Sequence, residues 1–413
     1  MNAPLPGSLG HRARPGRRLA ALFVGWVCLG LGLGGCRVYD EDLLNNSNGC
    51  DLTQPNPRPS IPDDGVDIGE VSFALREIVF EQRDTWQMIG YDLDDRCSTP
   101  TNGNIECQPI DRSSLPQTDG QGGIDNTFGH MLFPLLSIGV PNLQQQSQAS
   151  QEQGNGSVLI RINGWNGERN DPKLDVVVGI TVFGTPEAAP GQPPPISFNA
   201  NDQPVNDNTG QFPAVPRWDG NDYFWLRDDN FVTGDPSRPV IRDNNAYISD
   251  GLLVITLPER TDFIFPGQGV GVVARLTDAV LTGQLNEDGT ALLPVTAAGR
   301  WALNDLLSTA ESIGVCMESD TYDALIGQLD RLVDVKSTSG TGGADVDCDA
   351  VSVGITFNGY RANFGGIAPG PEPSNACELM RMDGGMMDGG ADAGAEASMP
   401  ESGMPDGGMP DGG

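Results

Sequence analysis

The chain has 413 residues, with 24 Lys and Arg against 56 Asp and Glu and a formal net charge of −32. A field of that sign and size repels phosphate backbones, attracts divalent cations and keeps a protein soluble, so nucleic acid is a poor partner. Two histidines, only one of them beyond the N-terminal segment, leave little material for imidazole-based chemistry or zinc.

Residues 1–35 read as a lipoprotein signal peptide. Arg12, Arg14, Arg17 and Arg18 form a basic start, and Leu19 to Leu33 is an uncharged run of fifteen residues, too short and wrongly flanked for an ordinary transmembrane helix. Leu33-Gly34-Gly35-Cys36 closes it as a lipobox, so cleavage before Cys36 with acylation of its thiol, palmitate included, is expected. The four arginines lost with the peptide would take the net charge from −32 to −36. Arg37 after the lipidated cysteine, where Asp would favour inner-membrane retention, points to the outer membrane. Arg17-Arg18 also admits twin-arginine export. The Gly30-x-Gly32-x-x-Gly35 match to a dinucleotide fingerprint has no flanking strand and helix and lies in the discarded peptide.

Residues 36–67, rich in Asn, Asp and Pro, read as a lipidated tether, with Pro55-Asn56-Pro57-Arg58-Pro59 as an extended polyproline-type spacer. A β-rich globular body is expected over 68–377. Six cysteines remain there and in the tether, Cys50, Cys97, Cys107, Cys316, Cys348 and Cys377, and an even count in an oxidising compartment reads as three disulfides. Chain proximity favours Cys97–Cys107 and Cys316–Cys348 as local bridges, with Cys50–Cys377 tying the two ends of the body together. No Cys-x-x-Cys occurs, which disfavours zinc.

Within the body, Phe128, Met131, Leu132 and Leu135 predict a helix that Pro134 shortens or kinks. Gln144–Gly156, glutamine-rich and closed by Gly154-Asn155-Gly156, reads as a loop or a boundary between subdomains. Val158, Ile160 and Ile162 alternate as a half-buried strand, and Leu174 to Phe183 reads as a strand buried on both faces. Turn chemistry predicts two hairpins, one around Ser249-Asp250-Gly251 and one around Asn286-Glu287-Asp288-Gly289, with a further alternating run at Val270, Val272, Ala274 and Leu276. Leu303, Leu306, Leu307, Ala310 and Ile313 predict a helix ended by Gly314. Tyr322, Leu325, Ile326, Leu329, Leu332 and Val333 predict its neighbour, capped by Ser319, with Cys316 in the turn between them. Val351, Val353, Ile355 and Phe357 predict a last strand. Many short strands with one helical hairpin favour a mostly β, sandwich-like body. From Glu378 to Gly413 the Asp/Gly/Met-rich repeats form no packed core, and a disordered acidic tail is expected.

The lipobox, Gly90-Tyr91-Asp92-Leu93-Asp94 with Cys97, Gly123-Ile124-Asp125-Asn126, Leu159-Ile160-Arg161-Ile162-Asn163-Gly164 leading to Asn170-Asp171, and Gly299-Arg300 with Cys316 together resemble uncharacterised secreted lipoproteins abundant in GC-rich predatory soil bacteria. The Asp-Gly-Gly tail fits as well. That resemblance implies an envelope address and carries no activity.

Two clusters bear on chemistry. Asp92, Asp94 and Asp95, with Asp125 and Asn126, are the densest set of oxygen ligands in the body and could assemble a structural Ca²⁺ site from two loops. EF-hand spacing fails, since Arg96 stands at the fifth position and Cys97 at the turn glycine. The alternative is a pair of Asp-rich turns capping their own backbone. Trp218, Tyr223 and Trp225 interleave with carboxylates and amides, and with Trp165 they could stack against sugar faces, unless these rings are simply core. No nucleophile elbow, Walker loop or His-Glu-x-x-His frames a catalyst, and abundant carboxylates alone leave only an open-ended glycosidase option. The expected role is therefore a non-catalytic structural or ligand-binding envelope protein. It meets the membrane through its lipid, takes no cofactor beyond a structural Ca²⁺, and has an envelope glycan or protein as possible partner. The alternative is a carbohydrate-binding or carbohydrate-active secreted protein.

Overall fold

The computed structural model describes residues 51–377 except 64, 100–102, 140–141, 155, 186–196, 199–203, 206–215, 267–270, 318 and 369–375. The signal segment, Cys36, Cys50, Val270 and the tail from Glu378 lie outside the described residues. In chain order the elements are β1 (Val71–Val79), a π-helical turn (Phe128–Leu132), α1 (Phe133–Gly139), α2 (Leu143–Glu152), β2 (Val158–Asn163), β3 (Asp171–Thr185), β4 (Ser197–Phe198), β5 (Pro204–Val205), β6 (Tyr223–Arg227), β7 (Ile241–Ser249), β8 (Leu252–Thr256), β9 (Thr261–Pro266), β10 (Gly271–Leu285), β11 (Ala291–Ala302), α3 (Leu303–Ser312), α4 (Asp320–Leu332) and β12 (Ala350–Ala368). No described helix is long and apolar enough to cross a membrane.

The strands are not split into two facing sheets. β1 pairs with β2 on one side and β12 on the other, and β3 pairs with β7. The antiparallel circuit β1-β2-β3-β7-β8-β10-β11-β12 therefore returns to β1 as an eight-stranded barrel. Alternation cannot separate a sandwich from a barrel, because either one buries one face of each strand. Closure is a matter of which strands meet.

The inward row of β12, Val351, Val353, Ile355 and Phe357, joins Phe73 and Leu75 of β1, Ile160 and Ile162 of β2, and Leu253, Ile255 and Leu281 in one continuous core. This core extends into a helical cap, where Phe80 packs on Phe128 and Phe133 and Phe128 meets Trp301. The helical hairpin forms as its periodicity predicts, with the Ser319 hydroxyl accepting a hydrogen bond from the Tyr322 amide at 3.1 Å. The helix at 128–135 is broken differently: a π-turn runs to Leu132, and Pro134 falls at the change to α-helix.

Outside the barrel a second small core forms. β6 bridges the far ends of β3 and β12, and its Phe224 and Leu226 pack with Phe231 and Ala362 on Ala74 and Leu159, which face outward from β1 and β2. β3 accordingly alternates along its first half and, among its described side chains, is buried on both faces at residues 178–181. A second coat, residues 82–127, covers the outer face of β12. Ser352 and Gly354, fully outward by alternation, are buried under it, and a Cβ on Gly354 would come 2.4 Å from the Ile89 carbonyl oxygen.

Residues 144–152 are helix and not loop: they form most of α2, and its glutamines work as a latch on the end of β1. The Gln144 carboxamide accepts from the Phe80 and Glu81 amides at 2.6 and 3.1 Å, Gln151 accepts from the Ile78 amide at 3.0 Å, and Gln148 donates to the Ile78 carbonyl at 3.0 Å. Side-chain amides here satisfy strand groups left without a partner strand.

The disulfide pairing by chain proximity is overturned. Cys107 bonds Cys348 and Cys316 bonds Cys377, and Cys97 is also disulfide-bonded. Neither Cys97–Cys107 nor Cys316–Cys348 nor Cys50–Cys377 forms. The cause is a short parallel contact between Gln108 and Asp347, in which the Gln108 amide donates to the Val346 carbonyl and the Cys348 amide to the Gln108 carbonyl. That contact sets residues 241 apart in sequence side by side.

The expected tether is also not free along its length. Thr53 exchanges backbone bonds with Gly122 and Asp92 at 2.7 and 2.9 Å. Farther along, Tyr247 donates its hydroxyl proton to the Asn56 carbonyl at 2.7 Å. The Arg58 guanidinium bonds the Pro172 and Asn245 carbonyls and lies 4.6 Å over the Tyr247 ring. Residues 51–58 therefore strap the outer wall.

Candidate functional site

Under the outer coat, Asp92, Asp94 and Asp125 each point one carboxylate oxygen into a common space, those atoms lying within 4.8 Å of one another. Two local turns build it. Asp92 folds back to accept the Asp94 and Arg96 amides at 3.2 and 3.3 Å, and Asp125 crosses to accept the Leu93 amide at 2.7 Å. A backbone bond from Asp125 to the Tyr91 carbonyl at 3.0 Å holds the two loops together. The backbone-capping role weighed from sequence is thus present for Asp92 and Asp125. Asp94 differs: its Oδ1 is buried without a hydrogen-bond partner.

More carboxylates surround these three. Asp119 hydrogen-bonds the Asp125 carboxyl and accepts the Ser98 amide. Asp334 accepts from the Thr127 hydroxyl and the Ser352 amide, both at 2.8 Å. Glu106 pairs with the fully buried Arg300 at 2.8 Å, and Arg300 also donates to the Lys336 carbonyl at 2.7 Å and to the Leu93 carbonyl. Glu106 pairs with Arg300, and Arg96 is a further positive charge near Asp94, so among the described residues the carboxylates of this cluster outnumber the cations beside them.

The electrostatic consequence is uniform. Burial pushes Asp92 up to about 6. Burial, then the charges of Asp92 and Glu106, pushes Asp94 to about 7. Asp119 rises to about 8 and Asp334 to about 6, burial being the largest cause in both. Asp125, wholly enclosed, is raised well above the usual carboxylate value for the same reason. A buried anion must be paired, protonated or bound to metal.

Not every residue expected here belongs to the cluster. Asp95 is exposed, at a left-handed turn position with φ 59°. Asn126 is committed elsewhere: its amide donates to Gln82 and the Ile89 carbonyl at 2.7 and 2.9 Å and accepts from the Gly129 and Gly354 amides at 2.9 and 3.0 Å. Asp334 and Glu106 were not legible as members, because each reaches the cluster from another loop, and Asp119, on the same loop as Asp125, carries no signal of its own.

Of the four aromatic residues weighed as a sugar platform, Trp165 and Trp225 are buried. Trp165 is buried in the barrel core, and its indole donates to the Glu168 carbonyl at 2.9 Å. Trp225 is 2 % exposed on β6, while Tyr223, on the same strand, is half-buried. Trp218 is half-buried against Phe224, with the Arg76 guanidinium 5.0 Å from its ring and 5.3 Å from Tyr360. His130 stacks on Trp86 at 4.0 Å, and burial lowers its pKa. Comparison with known protein families, curated proteins and solved structures finds no match to this chain.

Proposed function

We propose that this chain is a lipid-anchored envelope protein of the outer membrane with a non-catalytic, structural or ligand-binding role, and that its barrel wall holds a divalent cation, Ca²⁺ by donor chemistry. The observation carrying the cation reading is the convergence of Asp92, Asp94 and Asp125 within 4.8 Å, together with the unpartnered, buried Oδ1 of Asp94. The donor set is all oxygen, as a hard cation prefers, and one ion of charge +2 offsets charge that protons must otherwise neutralise. Asp92, Asp94 and Asp125 would hold it. Its role there would be to cross-link the loop of residues 91–96 to that of residues 119–126. The anchor reading rests on Leu33-Gly34-Gly35-Cys36 behind its basic start, and the acidic charge supports a soluble body above the bilayer.

Thermal melting of the mature protein in CaCl₂ and in EDTA tests the cation. A Tm higher by several degrees in Ca²⁺ is expected, since a ligand that binds only the folded state stabilises it by mass action. Superimposable curves would remove the metal. Palmitate labelling that leaves the protein unmarked would remove the anchor.

A further inference from the structure

The strap formed by residues 51–58 rests on the same loops as the cation cluster. The Thr53 carbonyl accepts the Asp92 amide at 2.9 Å, and the Gln54 carboxamide donates to the Asp92 carbonyl and Oδ2 at 2.8 and 3.3 Å. The Thr53 amide donates to the Gly122 carbonyl at 2.7 Å, three residues before Asp125. From there the strap crosses the wall. Tyr247, Val254 and Thr282 align in register across β7, β8 and β10, with the Tyr91 hydroxyl on Thr282 at 2.9 Å and Asn56 on Tyr247. The far end is held by Arg58 on the Pro172 and Asn245 carbonyls.

We propose that docking of the strap and binding of a divalent cation at Asp92, Asp94 and Asp125 are coupled, each strengthening the other. This rests on the cation reading above. The physical basis is a shared part: Asp92 must hold one backbone arrangement to receive both Gln54 and the ion, and residues 121–125 must do the same for Thr53 and the ion. Whatever orders those loops lowers the cost of the second event, and linkage makes the effect reciprocal.

Calorimetric titration of the mature chain with CaCl₂ tests the coupling, using Arg58→Ala and Tyr247→Phe. Neither residue touches a carboxylate of the cluster, and the second loses only a hydroxyl, so the fold is retained in at least that variant. Each is expected to weaken Ca²⁺ roughly three- to tenfold, the size of a lost strap contact passed through linkage. Reciprocally, hydrogen exchange at the Thr53 amide should slow in Ca²⁺. Wild-type affinity in both variants, with Ca²⁺ bound normally by the parent, would overturn the coupling and leave the cation site standing. A parent that takes up no Ca²⁺ would overturn both.

Discussion

At the residue scale the buried carboxylates make a signed prediction. Their folded-state pKa values, about 6 for Asp92, 7 for Asp94 and 8 for Asp119, lie above the unfolded value near 3.8. Such groups favour the fold fully below pH 3.8, and that contribution is lost as pH rises through 6 to 8. In EDTA, Tm should therefore be about 3–6 °C higher at pH 5.5 than at pH 8, whereas Ca²⁺ should flatten the slope. Asp94→Asn should raise the Tm in EDTA at pH 8 and abolish the response to Ca²⁺. A steeper slope in Ca²⁺ than in EDTA would contradict the assignment. Asp92, Asp94 and Asp125 were legible as candidates because oxygen donors cluster visibly along the chain. Arg300 and Glu106 were not, since an outward position on β11 reads as solvent-facing until the coat covers it.

At the scale of elements, the glutamine latch shows where patterning has no purchase. α2 carries its buried contacts through Gln144 and Gln151 as much as through Leu143, so it has no apolar stripe to recognise. Gln144→Ala would leave the Phe80 and Glu81 amides without their acceptor. It should cost about 1–3 kcal/mol in urea denaturation, while Gln145→Ala, on the exposed face of the same helix, should be nearly neutral. Equal effects would mean the helix is held by its apolar contacts alone. The hairpins, by contrast, were readable. Ser249 pairs with Leu252 across Asp250-Gly251, both at positive φ of 54° and 83°, the geometry that dipeptide favours.

At the scale of the whole molecule, the bridges staple the last strand to distant parts of the chain. On the loop-entropy model, removing Cys107–Cys348, which closes 241 residues, should cost about 5 kcal/mol, and removing Cys316–Cys377, which closes 61, about 4 kcal/mol. Paired Cys→Ser variants compared by denaturation midpoint check the order, and a reversed order would show that local packing outweighs loop length.

The chain's own pattern determined the mostly β character, the two hairpins, the capped helical pair and the grouping of Asp92, Asp94 and Asp125, because alternation, turn chemistry and capping act between residues close in sequence. Barrel closure, the pairing of the cysteines, the burial of Trp165 and Trp225, and the strap were decided only in three dimensions. Each depends on which distant segments lie against one another, and local periodicity is the same whichever partner a strand meets.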